Sequence, residues 1–228
     1  SRGLGDVYKR QTQEPLHLKP PTHPSSMETA PPTLRDRIID VSSALFYSEG
    51  IRGVGIDRII DASGVAKATL YKHFRSKDEL VVAYLKSRHQ RVIESLKSHL
   101  LSPSLPPQDQ VMQVFGLLEN KAESDETFRG CAFLMAVSEY GNNPEVVEVA
   151  RRHKACVRDI FSEILGNAGP LPATDIAGIA DIAGQLALLY DGALAQIMVQ
   201  RTSAPAAVAG RCAAALVSAW MARRPGDT

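Results

Sequence analysis

The chain has 228 residues, 44% of them hydrophobic, and a formal net charge of only +1, which supports one large or two small domains with real cores and excludes a general polyanion binder. Its three cysteines, Cys131, Cys156 and Cys212, are odd in number and widely spaced, which argues against a disulfide scaffold or a Cys/His zinc site and points to a reducing, cytoplasmic setting. No uninterrupted apolar run reaches about 18 residues, so no membrane-crossing segment is expected.

Residues 1–32 hold six of the fourteen prolines and almost no apolar periodicity. Such a segment buries too little surface to offset its ordering entropy, so a disordered leader is expected. It lacks the apolar core of a signal peptide. SRGLGDVYKRQ is closer to translated adapter sequence than to natural protein, which makes Met27 a candidate start; the competing reading is a basic arm for the minor groove. Thr33 is a natural N-cap for a first helix carrying Leu34, Ile38, Val41, Leu45 and Phe46 at helical spacing and ending near Gly50.

Ile56, Ile59 and Ile60 then fall at i, i+3 and i+4 on one helical face, and Ser63-Gly64 interrupts them. Glycine enters the left-handed region without a Cβ penalty and so turns the chain. Val65, Leu70 and Phe74 resume the buried pattern, while Lys67, Ala68, Thr69, Tyr71, Lys72 and His73 face outward. Between Gly64 and Lys77 stand Lys67, Lys72, Arg75 and Lys77 and no acid. Two short helices around a glycine turn, the second with a basic, hydrogen-bonding face, are the layout of a DNA-reading helix-turn-helix.

Ser76 with Glu79 forms a capping box that opens a long helix to about residue 101, with Val81, Leu85, Val92, Leu96 and Leu100 as its buried stripe. Pro103, Pro106 and Pro107 stop it. Further helices are expected over residues 108–121, 131–140 and 144–165, the last started by Asn143-Pro144. A loop over residues 166–172 precedes two helices rich in alanine and glycine, over residues 173–201 and 204–223. There is no strand pattern and no repeat, so the fold class is all-α.

Gly50, the run Ile59-Ile60-Asp61-Ala62-Ser63-Gly64-Val65, then Thr69-Leu70-Tyr71-Lys72-His73-Phe74 and Ser76-Lys77-Asp78-Glu79-Leu80 resemble the N-terminal domain of TetR-family transcriptional regulators. The likeness runs from Thr33 to Leu80. It departs at Gly55, where the family often has Ser or Thr, and at Ala66, where it often has Ser; each loses a side-chain N-cap. The resemblance implies a helix-turn-helix domain over residues 33–79 and a larger ligand-binding and dimerisation body over residues 80–228. It implies that Lys67 and Lys72 face base edges, with Ala68 suited to a thymine methyl. Thr69, Tyr71, His73 and Lys77 match positions that meet phosphates, and at Gly55 a backbone N–H would replace the usual hydroxyl contact.

Within the body, Met112, Phe115, Cys131, Phe133, Met135, Tyr140, Tyr190 and Met198 supply the apolar, adaptable surface that an effector pocket uses; for each, ordinary core packing is the alternative. Cys131 beside Arg129 reads either as a sensing thiol or as a small buried hydrophobe, and His153 in RRHKACVRD as part of a solvated basic face. The small-residue stripes of the last two helices fit the family's four-helix dimer interface, with Gly184, Leu188, Gly210, Ala214 and Val217 at the contact. Packing inside one subunit is the other reading of those stripes.

The function expected is a ligand-responsive, homodimeric regulator, most often a repressor, that holds a palindromic operator and is released by a small-molecule effector. Its partners would be double-stranded DNA, a second copy of the chain and that effector, with no cofactor, metal, membrane or catalytic residue. Two other readings compete. One is a helical enzyme using Cys131 as nucleophile and His153 as base, which lacks a recognisable orienting group or oxyanion motif. The other is a ligand-independent DNA-packaging module.

Overall fold

The computed structural model describes residues 31–100, 105–167 and 175–223; the expected leader, Pro31 and Pro32 apart, and most of the expected loop over residues 166–172 lie outside them. The described residues form nine helices and no strand: α1 (Leu34–Glu49), α2 (Ile56–Ser63), α3 (Lys67–His73), α4 (Lys77–Leu100), α5 (Pro107–Ser124), α6 (Ala132–Tyr140), α7 (Pro144–Gly166), α8 (Asp175–Gln200) and α9 (Ala204–Ala222). The chain is all-α, as its periodicity predicts.

The start of α1 is a reciprocal cap. The Asp36 N–H donates to Thr33 Oγ1 at 3.2 Å, and the Thr33 N–H donates to Asp36 Oδ2 at 3.0 Å. Gly50, at φ +86°, ends α1 with its N–H on the Phe46 carbonyl. At the start of α4 the cap differs from the expected box. Ser76 Oγ accepts from the Glu79 N–H at 3.1 Å, but the Glu79 carboxylate reaches one residue further back, to the Arg75 N–H at 2.8 Å. Asn143 caps α7 by accepting from the Glu145 and Val146 N–H groups, with Pro144 in the first turn.

The described residues from Pro32 onward make up one compact unit. Ile38, Phe46, Ile59, Leu70 and Phe74 are buried to 1% exposure or less and form the core of α1, α2 and α3. Phe46 meets Tyr84 of α4 with ring centroids 5.7 Å apart, so this core is continuous with α4. The centre of the body is a three-ring cluster of Phe115 (α5), Phe161 (α7) and Tyr190 (α8), with centroids 5.8–6.4 Å apart.

By length and composition α8 and α9 reach what a membrane-crossing helix needs. Their uninterrupted apolar runs are nevertheless short, because Asp181, Asp191 and Arg211 break them. In this fold both pack into the body, α9 against α5 and α8, and α8 against α7.

Candidate nucleic-acid interface

Gly64, at φ +67° and with its N–H on the Ile60 carbonyl, ends α2 in the left-handed conformation and turns the chain into α3. Leu70 and Phe74, both fully buried, anchor α3 to the core. That leaves Lys67, Ala68, Tyr71 and Lys72 exposed, with Thr69 and His73 half-buried at the edges of the same face. The six outward residues therefore share one surface, and it contains three basic side chains, Lys67, Lys72 and His73, and no acid. Lys67 rests on Asp57 of α2 at 3.3 Å, a pair that stands mostly in solvent and so contributes little stability. Its ammonium is held only loosely by Asp57.

Neither α2 nor α3 has a side-chain cap, since Gly55 and Ala66 hold the N-cap positions without a side-chain hydrogen bond. The first N–H groups of α2 keep their dipole for an anion, although Asp57 in the first turn opposes one. Lys77 is half-buried at the start of α4. Burial lowers its pKa, while Glu139 and Asp78 raise it. Burial is the larger effect, so Lys77 carries its charge less readily than a lysine in open water.

The residues expected to line an effector pocket do not converge. Phe115 and Tyr190 are sealed in the ring cluster, and burial raises the Tyr190 pKa. Met112 and Met198 are exposed, and Met135 is half-buried. Tyr140 lines an open polar cleft of ≈ 820 Å³ between α4 and the α6–α7 turn, with Arg35, Arg75, Lys86 and Glu145 around it. Phe133 alone of the set lines the apolar groove of ≈ 690 Å³ between α6, α7 and α8, together with Leu134, Val137, Ala150 and Leu188.

Cys131 is buried, and the Lys154 ammonium lies 3.4 Å from its sulfur while also holding the Asp191 carboxylate. His153 is not on a solvated face. It is 5% exposed, stacks on Phe133 with centroids 3.7 Å apart, and its Nδ1 lies 3.2 Å from Nδ1 of His89 on α4. Burial, helped by Lys154, His89 and Arg88, holds its pKa down at about 3. Among the described residues no three His, Cys, Asp or Glu side chains gather as a metal site would require.

The residues expected at a dimer contact are divided between the inside and the outside of the subunit. Gly210 and Val217 are buried inside the subunit, and a Cβ on Gly210 would lie 3.0 Å from Phe115 Cβ and 3.4 Å from Met112 Sδ. This part of the small-residue stripe of α9 therefore serves the close approach of α5. Ala214 is half-buried. Leu188 is 73% exposed, and a Cβ on Gly184 would meet nothing within 4 Å. Ile176, Val199 and Val208 are further large apolar residues left exposed on α8 and α9.

A short helix anchored by two buried side chains, presenting a basic face across a glycine turn and carried on a helical body, defines a helix-turn-helix DNA-binding protein. Residues 38–84 match the family model described as "Bacterial regulatory proteins, tetR family". The crystal structure of SCO4454, a TetR-family transcriptional regulator from Streptomyces coelicolor, is 30% identical, covers 83% of this chain and 94% of its own, and superposes with a TM-score of 0.63. The chain belongs to the TetR family of transcriptional regulators and binds DNA. Its likeness to curated relatives is more partial. The transcriptional activator FasR of Mycolicibacterium smegmatis is 26% identical over 59% of this chain and 60% of its own length. The transcriptional repressor KstR2 of the same organism is 26% identical over 31% of this chain and 38% of its own length.

Proposed function

We propose that this regulator is a homodimeric repressor that reads a palindromic operator with α3 and loses DNA affinity when a small molecule binds its body. The observation that carries the DNA half is the α3 surface itself: Lys67, Ala68, Tyr71 and Lys72 exposed together above the buried Leu70 and Phe74. One such helix covers few base pairs, and two held about 34–36 Å apart read successive major grooves. Support for the dimer comes from the exposed Leu188 and the open Gly184 on α8, with Val208 on α9; large apolar side chains left in water favour burial against a partner. The groove between α6, α7 and α8 is the effector site that fits best, being largely apolar with a few charged groups such as Lys154 and Asp191 along it.

A ligand that prefers the form with the wrong separation of the two α3 helices weakens DNA binding by linkage. The enzyme reading gains nothing here, because the polar partner of Cys131 is Lys154 and that of His153 is His89. Selection of bound sequences from random DNA, paired with sedimentation of the same protein, tests the proposal. The expected result is a two-fold symmetric consensus bound by a dimer, and a reporter gene behind it silenced by the protein. An asymmetric or absent consensus, or tight operator binding by a monomer, would refute it.

A further inference from the structure

The reading head is tied to the body at both ends of α6 as well as through the continuous α4. At the N-terminal end, the Tyr47 hydroxyl, from the last turn of α1, donates to the Gly130 carbonyl at 3.0 Å and accepts from the Arg129 N–H at 2.7 Å. The Arg88 guanidinium of α4 lies over the Tyr47 ring, 3.9 Å from its centroid. Arg129 also donates to the Ser48 carbonyl, and to that of Tyr47 at 3.5 Å. These are the last carbonyls of α1, where the helix dipole favours a cation. At the C-terminal end, Glu139 Oε2 accepts from the Arg52 N–H at 2.7 Å, and Arg52 Nε donates to the Glu139 carbonyl at 2.7 Å. Both grips fall on the end of α1 and on the segment that leads into α2.

Gly130 and Glu139 are separated by roughly 13 Å of nearly continuous helix at 1.5 Å per residue. One contact on a rigid rod leaves a pivot; two contacts fix an angle. Gly130 is itself seated firmly, for a Cβ there would lie 2.9 Å from the Leu194 carbonyl of α8. We infer that Tyr47 and Glu139 are positioning residues that set the angle of α3 relative to the body, so that half-site spacing is read through α6. This rests on the dimeric reading above. Neither residue lies on the DNA-facing surface. Loosening the grips should therefore leave the contact with one half-site intact and relax the choice between spacings.

The test uses the full chain, with Tyr47→Phe, Glu139→Ala and the double variant, and Glu139→Gln as the conservative control. Tyr47→Phe keeps the ring under Arg88, and Glu139→Gln keeps an acceptor for the Arg52 N–H. Affinity is measured for the selected palindrome and for the same palindrome with one base pair added at its centre, and backbone amide exchange is measured on the free protein. Each loosening variant should lower the spacing ratio about tenfold, the size of one good hydrogen bond lost, and speed exchange over residues 47–55 while α7 and α8 stay protected. Glu139→Gln should restore most of the ratio. If wild-type protein discriminates between the spacings and the double variant does so equally well, the clamp is overturned and the dimer stands. If wild-type protein binds both spacings alike, the dimeric reading fails and the spacing role falls with it.

Discussion

Replacing His153 with glutamine should flatten the acid side of the stability curve. His153 is buried against Phe133, with His89 at its Nδ1 and Lys154 and Arg88 nearby. Burial keeps the ring neutral in the folded protein down to about pH 3, against an ordinary value of 6.5. Below pH 6.5 the unfolded chain takes up a proton that the folded chain refuses. Stability is therefore insensitive to this group above pH 6.5 and falls as the pH drops from there toward 3. One pH unit inside that window corresponds to about 1.4 kcal/mol. At pH 5, some 1.5 units into the window, the loss should be about 2 kcal/mol. Denaturant unfolding at pH 7.5 and pH 5, on wild type and His153→Gln, isolates this contribution, because every other group titrates in both proteins. His89, which burial and Arg152 push the same way, stays in both. The variant should lose about 2 kcal/mol less than wild type between the two pH values. Parallel losses would mean that His153 titrates normally in the folded chain and that the His89–His153 contact does not exclude a proton.

Gly210→Ala places a Cβ 3.0 Å from Phe115 Cβ and should cost about 1–3 kcal/mol by overpacking, read by denaturant midpoint. A Cβ at Gly184 would meet nothing within 4 Å, so Gly184→Leu should disturb unfolding of the subunit far less than Gly210→Ala while weakening self-association in sedimentation; a Gly184→Leu protein that stays dimeric would move the interface elsewhere. Lys67→Ala should relax specificity at one or two base pairs at a cost of about 1–3 kcal/mol. Lys77→Ala should weaken all sequences alike and lower the salt slope by about one unit; equal, uniform losses in both variants would contradict the division of roles. Phe161→Ala, which opens the three-ring cluster, should cost about 3–5 kcal/mol by thermal or denaturant unfolding.

Much of this was legible in the sequence, because the features that end and start helices are local. Thr33, Gly50, Gly64 and Asn143-Pro144 mark their boundaries through side-chain caps and left-handed turns that involve neighbours three or four residues away. The outward face of α3 follows from Leu70 and Phe74 by the same short-range geometry. The burial of His153 also has a local signal, since Val149, Ala150, His153, Val157 and Ile160 form one inward stripe of α7, but the flanking arginines and lysine give the same run the look of a solvated face. The contacts of Tyr47 with Gly130 and of Arg52 with Glu139 join residues more than eighty apart, and no local pattern announces them. Gly210 belongs to the same class. A small residue on a helix tells that something comes close, and only the fold tells that it is α5 of the same chain.

Helix α3 has seven residues and no side-chain cap at its start, well short of the ~12–15 residues at which an isolated helix becomes even marginal in water. Its persistence is vested in Leu70 and Phe74, on its buried side. The side chains at positions 67, 68, 71 and 72 are exposed, outside that buried anchor, and the Lys67–Asp57 pair stands mostly in solvent. They are consequently open to rewriting: an altered vocabulary of base contacts can be written on this surface by substitution with little penalty in folding, whether in the laboratory or over generations of gene duplication and drift. The grammar, meaning the angle and spacing at which the words are spoken, is kept on other residues.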